Sequence, residues 1–194
     1  MDGDTAARVA QRREQIRAAL RDPDAEVRAA ASRALERLER RQDLEVLLER
    51  ARSPETGARI EALYGLGALD DRAALPALVG ALRDPVEEVR VVAVRTLAEL
   101  RDESTLSPLA ECLDDSSEHV RQHAVEALAR FADRRMVPLL RAVIGGGEPA
   151  VLGPALRALG ACGDAACEGE IAGFVAHPDA TVRAAALEAL AALD

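Results

Sequence analysis

Apolar residues recur along this chain at helical spacing, and the whole pattern returns every 31 residues. Asp22, Ser53, Asp84, Asp115, Gly146 and His177 open six successive copies. The sixth position of a copy is Val27, Ala58, Val89, Val120, Val151 or Val182. The tenth is always alanine (Ala31, Ala62, Ala93, Ala124, Ala155, Ala186), and the fourteenth always leucine (Leu35, Leu66, Leu97, Leu128, Leu159, Leu190). Intervals of four residues put these side chains on one helical face. A fixed period of this length predicts a solenoid, in which each copy buries its apolar face only against its neighbours.

Each copy reads as two helices. The first opens on an N-cap residue followed by proline, as in Asp22-Pro23, Ser53-Pro54 and Asp84-Pro85, with Glu87 and Glu118 at the capping-box position. It runs to Leu38, Leu69, Leu100, Phe131, Cys162 or Leu193. A short acidic turn leads to the second, marked by Leu47, Leu78, Leu109, Leu140 and Ile171. Ile16 and Leu20 share that register, so the residues before Asp22 add one more helix. The expected fold is all-α, a single right-handed α-α superhelix over 1–194. Its six helix pairs should lie at about 4–38, 42–69, 72–100, 103–131, 134–162 and 165–193.

The thirteenth position is small in every copy (Ala34, Gly65, Thr96, Ala127, Ala158, Ala189), which predicts close approach of neighbouring helices. Arg28, Arg59, Arg90, Arg121 and Arg183 follow the sixth position, with Leu152 the exception, and Asp71, Asp102, Asp133 and Asp164 recur in the turn. A row of anion sites is one reading; an arginine–aspartate ladder between consecutive copies is the simpler and is expected here. In the fifth copy Gly145-Gly146-Gly147 replaces the aspartate cap and Gly153-Pro154 falls inside the expected helix, so that helix should kink or start late and form a hinge.

Composition narrows the function classes. Aromatics make up only 2% and all 25 basic residues are arginine, a bias that a GC-rich bacterial genome explains without function. A net charge of −9, with no basic stripe and few rings for stacking, argues against nucleic acid as partner. No run of about 18 apolar residues predicts a membrane span. Three cysteines form no disulfide framework, and the polar opening MDGDTAARVAQRREQ predicts no secretion signal, so a cytoplasmic location is expected.

The string Val-Arg-x-x-Ala-x-x-Ala-Leu after an Asp-Pro cap, clearest from Val27 to Leu35, Val89 to Leu97, Val120 to Leu128 and Val182 to Leu190, resembles the HEAT-like repeat of the phycobilin-lyase type. That resemblance covers nearly the whole chain. It implies an α-solenoid, and relatives that include scaffolds, bilin lyase subunits, a di-iron hydroxylase and DNA glycosylases. Fold alone does not choose among these. The hydroxylase resemblance would require His-Glu dipeptides, but the three histidines here precede Val120, Ala124 and Pro178. The glycosylases would require a basic, aromatic-bearing groove.

Opposite the core face lie the fourth, fifth, eighth, ninth, twelfth and sixteenth positions of each copy, which in repeats resembling these line the concave surface. Ile60, Glu61, Tyr64, Val91, Val92, Arg95, His119, Gln122, His123, Glu126 and Arg157 are the candidate binding residues. The clustered apolar members and Tyr64 mark an interaction surface. The end copies offer only alanine at the eighth and ninth positions, as Ala29-Ala30 and Ala184-Ala185. His119, His123 and Glu126 share a helix face at metal-ligand spacing, yet Glu126 stands level with Arg95 and Arg157, and a charge ladder is the simpler account. Cys162 and Cys167 are expected as buried free thiols. No catalytic, metal or cofactor site is assigned. The expected function is a non-catalytic adaptor that binds a protein or peptide on its concave face, with self-association through the C-terminal helix. The alternative is a lyase-like or chaperone-like subunit acting on a chromophore-bearing or modified protein.

Overall fold

The computed structural model describes residues 3–193, which form eleven α-helices and short 3-10 turns, with no strand among them. None of the helices is long and apolar enough to cross a membrane. The chain divides into two compact units, Met1–Arg50 and Ala51–Asp194.

The first unit is a pair of helices, α1 (Gly3–Ala19) and α2 (Ala25–Arg50), packed on each other, with Arg13 Nη2 donating to Gln42 Oε1 at 2.6 Å. The break expected between residues 38 and 42 is absent. Later copies turn on a residue in the left-handed region followed by an aspartate: Asp70-Asp71, Arg101-Asp102, Ala132-Asp133 and Gly163-Asp164. The first copy has Glu39-Arg40 there, with no short acid to cap a new turn, so the helix runs on. Because α2 does not fold back, Val27 and Leu20, expected in the core, remain 40% and 37% exposed; Ala31 and Leu44 are buried.

In the second unit the long helices α3 (Thr56–Leu69), α5 (Glu87–Leu100), α7 (Glu118–Ala129), α9 (Pro149–Ala161) and α11 (Ala180–Ala191) pack in sequence, each on the next. The shorter α4 (Leu75–Ala81), α6 (Leu106–Glu111), α8 (Val137–Gly146) and α10 (Glu168–Ala172) pack on α5, α7, α9 and α11 respectively. Ala62, Ala93, Ala124, Ala155 and Ala186 are fully buried, as are Leu66, Leu97 and Leu159, so the repeated apolar face is the core. The turn aspartates are caps: Asp71, Asp102, Asp133 and Asp164 accept the backbone N–H two residues on, opening a 3-10 turn ahead of each short helix.

They are therefore not the ladder's acids, as the spacing had suggested. Arg59 donates through Nε and Nη2 to Asp84 at 2.8 and 2.9 Å, and Arg90 to Asp115 at the same distances. Each Nη1 meanwhile reaches the carbonyls that open its own copy, at 3.0 Å for Ser53 and 2.8 Å for Asp84. The copy-opening acids consequently do not cap the long helices. Asp84 accepts the Val86 N–H in a local turn, and α5 begins only at Glu87. Gly146 has no side chain, and Glu148 reaches Arg121 in its place. Leu152 and His177 remove both members of the next rung together, so no buried charge is orphaned.

In the fifth copy the late start offered as one outcome does not occur. Its long helix begins at Pro149, as far into its copy as α5 at Glu87, and continues through Pro154. Gly153 precedes that proline without the Cβ that a proline ring opposes.

Between α9 and α11 a glycine meets the neighbouring helix backbone directly. A Cβ on Gly160 would stand 2.6 Å from the Ala189 Cα and 2.7 Å from its carbonyl oxygen. Gly160→Ala should therefore lower stability by about 1–3 kcal/mol, the usual cost of overpacking. Gly80→Ala, with nothing within 4 Å of the added methyl, should leave the Tm unchanged or raise it. Equal melting of the two variants by circular dichroism would refute this placement of the contact.

The Arg90–Asp115 rung, 12% exposed on each side, yields a second expectation. Burial pushes the Asp115 carboxyl up, but the Arg90 guanidinium, the Ser117 N–H and the Arg121 charge outweigh it and hold the pKa below the ordinary value. Its stabilisation is present above pH ~4, the unfolded carboxylate value, and is lost as pH falls through the lowered native one. Asp115→Asn should cost on the order of 3 kcal/mol near neutral pH. The gap from wild type should close in acid; an unchanged gap at pH ~2 would contradict the assignment.

Candidate binding face

The long helices turn one stripe to solvent. On α3 it carries Glu61, exposed, and Tyr64, 51% exposed, beside half-buried Ile60. On α5 it carries exposed Arg95 and Glu99 beside half-buried Val91. Val92, expected on the surface, is only 7% exposed. It stands one turn before Thr96, whose Cγ2 would lie 2.5 Å from a Cβ on Gly67 of α3, so this stripe faces the neighbouring helix. Ala185, one turn before Ala189, is buried likewise. The exposed apolar cluster thus contracts to Tyr64, with Ile60 and Val91 half covered.

α7 contributes His119, Gln122, His123 and Glu126. His119 Nδ1 lies 2.9 Å from Glu87 Oε1, reaching back to α5, while His123 Nδ1 lies 3.1 Å from Glu126 Oε2. Gln122 Nε2 approaches Glu126 at 3.5 Å. The two imidazoles thus engage different carboxylates, and no group of three His, Cys, Asp or Glu side chains fit to hold a metal occurs among the described residues. Hydrogen bonds from Ser117 and then His119 hold the Glu87 carboxyl below its usual range. The ladder expected at the twelfth position is only partly formed. Arg157 meets Glu188 at 3.9 Å, whereas Glu126 is taken by His123 and Gln122.

Between α5 and α7 the stripe deepens into a groove of about 250 Å³ lined by Arg95, Ala98, Glu99, His123, Glu126 and Arg130. Arg95 and Arg130 make no ion pair there among the described residues, in contrast to Arg59, Arg90 and Arg121. Glu99 and Arg130 were not selected from the sequence. Their signal was present, since each follows a selected residue by four (Arg95, Glu126) and lies at the sixteenth position of its copy.

The three thiols lie away from this stripe. Cys112, Cys162 and Cys167 are buried, and Cys162 donates to the Asp133 carbonyl at 3.4 Å. Burial raises all three, Cys112 to about 11. They are neutral thiols near pH 7, not nucleophilic thiolates.

The family model described as HEAT repeats matches residues 13–91 and 81–152. Among solved structures, the complex of CpcE and CpcF of phycocyanin lyase from Nostoc sp. PCC7120 is similar, with a TM-score of 0.69 and 27% identity over 77% of this chain. The chain spans 64% of the length of the chain it matches there. A designed armadillo repeat protein in complex with the peptide (KR)4 aligns with 93% of this chain and 98% of its own at 21% identity and a TM-score of 0.61. Computationally designed armadillo repeat proteins for modular peptide recognition align with 93% of this chain and 99% of theirs at 20% identity and a TM-score of 0.57. No curated protein matches the sequence. The armadillo likenesses bear on fold alone. The lyase complex overturns the expectation of a non-catalytic chain, because a protein of this build, 27% identical, belongs to an enzyme of the lyase class.

With all three thiols buried and raised, a disulfide-exchange reagent at pH 7.5 should modify the native protein far more slowly than the protein in denaturant. Rapid native labelling of even one cysteine would contradict the burial described.

Proposed function

Because the chain belongs to the HEAT repeat family, we propose that it binds a protein or peptide along the open stripe of α3, α5 and α7. The observation that carries this is the α5–α7 groove, where Arg95 and Arg130 present guanidinium groups without ion-pair partners among the described residues. Tyr64 stands half exposed one helix earlier, at the position equivalent to Arg95. Tyrosine and arginine supply interface energy more often than other residues, because each combines large contact area with directional hydrogen bonds. His119 and His123, each already engaged with a carboxylate, extend the stripe. Beyond α9 it shrinks to the charge of Glu188 among alanines such as Ala184 and Ala192.

A second reading has its own support in the lyase complex: a lyase-type subunit that acts, with a protein partner, on a chromophore-bearing or modified protein. Both readings need a protein-binding surface, and they differ in what happens once the partner is held. Incubation with a bilin and a chromophore-free acceptor protein separates them, since chromophore uptake or transfer belongs only to the second.

The double variant Tyr64→Ala/Arg95→Ala should keep its helical content, because neither side chain is in the core. Affinity for a partner captured from the native host should fall at least about 30-fold, or roughly 2 kcal/mol. If that variant holds the partner as wild type does, while substitutions on α4, α6 and α8 abolish binding, the open stripe is not the binding face.

A further inference from the structure

In the short-helix layer, clefts open between α4 and α6 and between α6 and α8, and their linings differ. Between α4 and α6 the cleft of about 340 Å³ has a polar rim, where Arg83 and Glu111 form an ion pair at 2.8 Å. Between α8 and α10 Arg141 pairs with Glu170, and Phe174 packs against the core. The cleft between α6 and α8, about 260 Å³, has neither device. Glu111 is replaced one copy on by Ala142, Cys112 by Val143 and Pro108 by Leu139, which is left 41% exposed. Leu113 and Val125 complete an apolar lining. Where Arg83 stands in the preceding copy, this cleft has Asp114, an exposed carboxylate with no side-chain partner among the described residues. Arg83 borders the neighbouring cleft but is already held by Glu111. The only other charges on the lining, Arg121 and Glu148, neutralise each other.

We propose that the α6–α8 cleft is a second docking site, for a partner segment in which an aromatic or large aliphatic side chain is followed directly by arginine or lysine. Two observations define this occupant. Phe174, one copy on, stands where Val143 stands here; both pack on the core, but the smaller valine lines an open apolar cleft that a partner's ring would fill. Asp114 at the rim is an anion without a counter-charge, and a cation adjacent to the ring reaches it without entering the apolar floor. This site is on the opposite helix layer from the Tyr64–Arg95 stripe and is independent of it.

Titrating the isotope-labelled full chain with Ac-Ala-Phe-Arg-Ala-NH2 tests the assignment. Saturable amide shifts at millimolar peptide should cluster at Leu113, Asp114 and Leu139 to Val143. Ac-Ala-Phe-Glu-Ala-NH2 should bind at least tenfold more weakly, and Ac-Ala-Ala-Arg-Ala-NH2 should leave those signals unmoved. Ala142→Arg sets a cation across from Asp114, pairing the carboxylate at the rim as Glu111 pairs Arg83 in the preceding copy, and should weaken the first peptide at least tenfold. The peptide series on the wild-type chain decides the matter even if that variant fails to fold. Scattered or non-saturating shifts, equal response to the acidic peptide, or shifts confined to α3 and α5 would overturn the proposal. Concentration-dependent shifts at Leu139 without peptide would mean that a second copy covers the cleft, and would overturn it too.

Discussion

In the second unit the arginine at the seventh position of a copy constrains how that copy meets the next. Its guanidinium is planar and offers two edges. Nη1 is committed to carbonyls that open its own copy, at 2.8 Å in the case of Arg90 and Asp84. That leaves the Nε–Nη2 edge pointing forward, and a carboxylate accepting both bonds must lie in nearly the same plane. Each rung therefore constrains direction as well as distance. At about 12% exposure such a pair is costly to break, because either partner alone would be an uncompensated charge in a poorly hydrated site. Small residues have a matching role, also at the α9–α11 contact, where Leu152 and His177 leave no rung. Contact between Gly160 and the Ala189 backbone is possible only when the helices meet at one particular height.

Copies are free to change wherever neither constraint acts, and the differences follow that division. When Gly146 removes the acid from the fifth copy, Glu148 restores the rung from two residues further on. Where Leu152 removes the arginine, the next copy begins with His177 and no carboxylate is stranded. Outward positions show no such compensation. Tyr64, Arg95, Glu126, Arg157 and Glu188 occupy one position in five copies and change between ring, cation and anion. Leu139 replaces proline in one neighbouring copy and glutamate in the other. Uniform interiors with individual surfaces are what a repeat array requires to recognise a non-repetitive partner.

Much of this was legible in the sequence because it depends on spacing. Alanine at every tenth position and leucine at every fourteenth specify a buried face, and the structure buries them there, with Leu35 and Leu190 half-buried in the first and last copies. What was not legible depended on choices between equivalent groups. Two acids per copy lay within reach of the arginine row, and only geometry shows that Asp84 and Asp115 take it while Asp71 and Asp102 cap turns. Val92 looked exposed on a helical wheel because the wheel omits the neighbouring helix that presses on Thr96. The missing break in α2 had a visible cue, Arg40 in place of the cap aspartate, but the core pattern continued across it.

The same division bears on the two functional readings. Within the repeat contacts, pairing holds the Asp115 carboxyl low and ionised at neutral pH, and burial raises the three thiols and keeps them neutral. The imidazoles of His119 and His123 lie on the open stripe, each beside a carboxylate, whereas His177 lies in the turn before α11, where it accepts from the Asp179 N–H. Two of the three histidines thus share the surface proposed above to hold the partner, so partner affinity and transfer have to be read separately there. A substitution at His123 that preserves partner affinity while abolishing transfer would identify a catalytic contribution, whereas parallel loss of both would leave binding as its role.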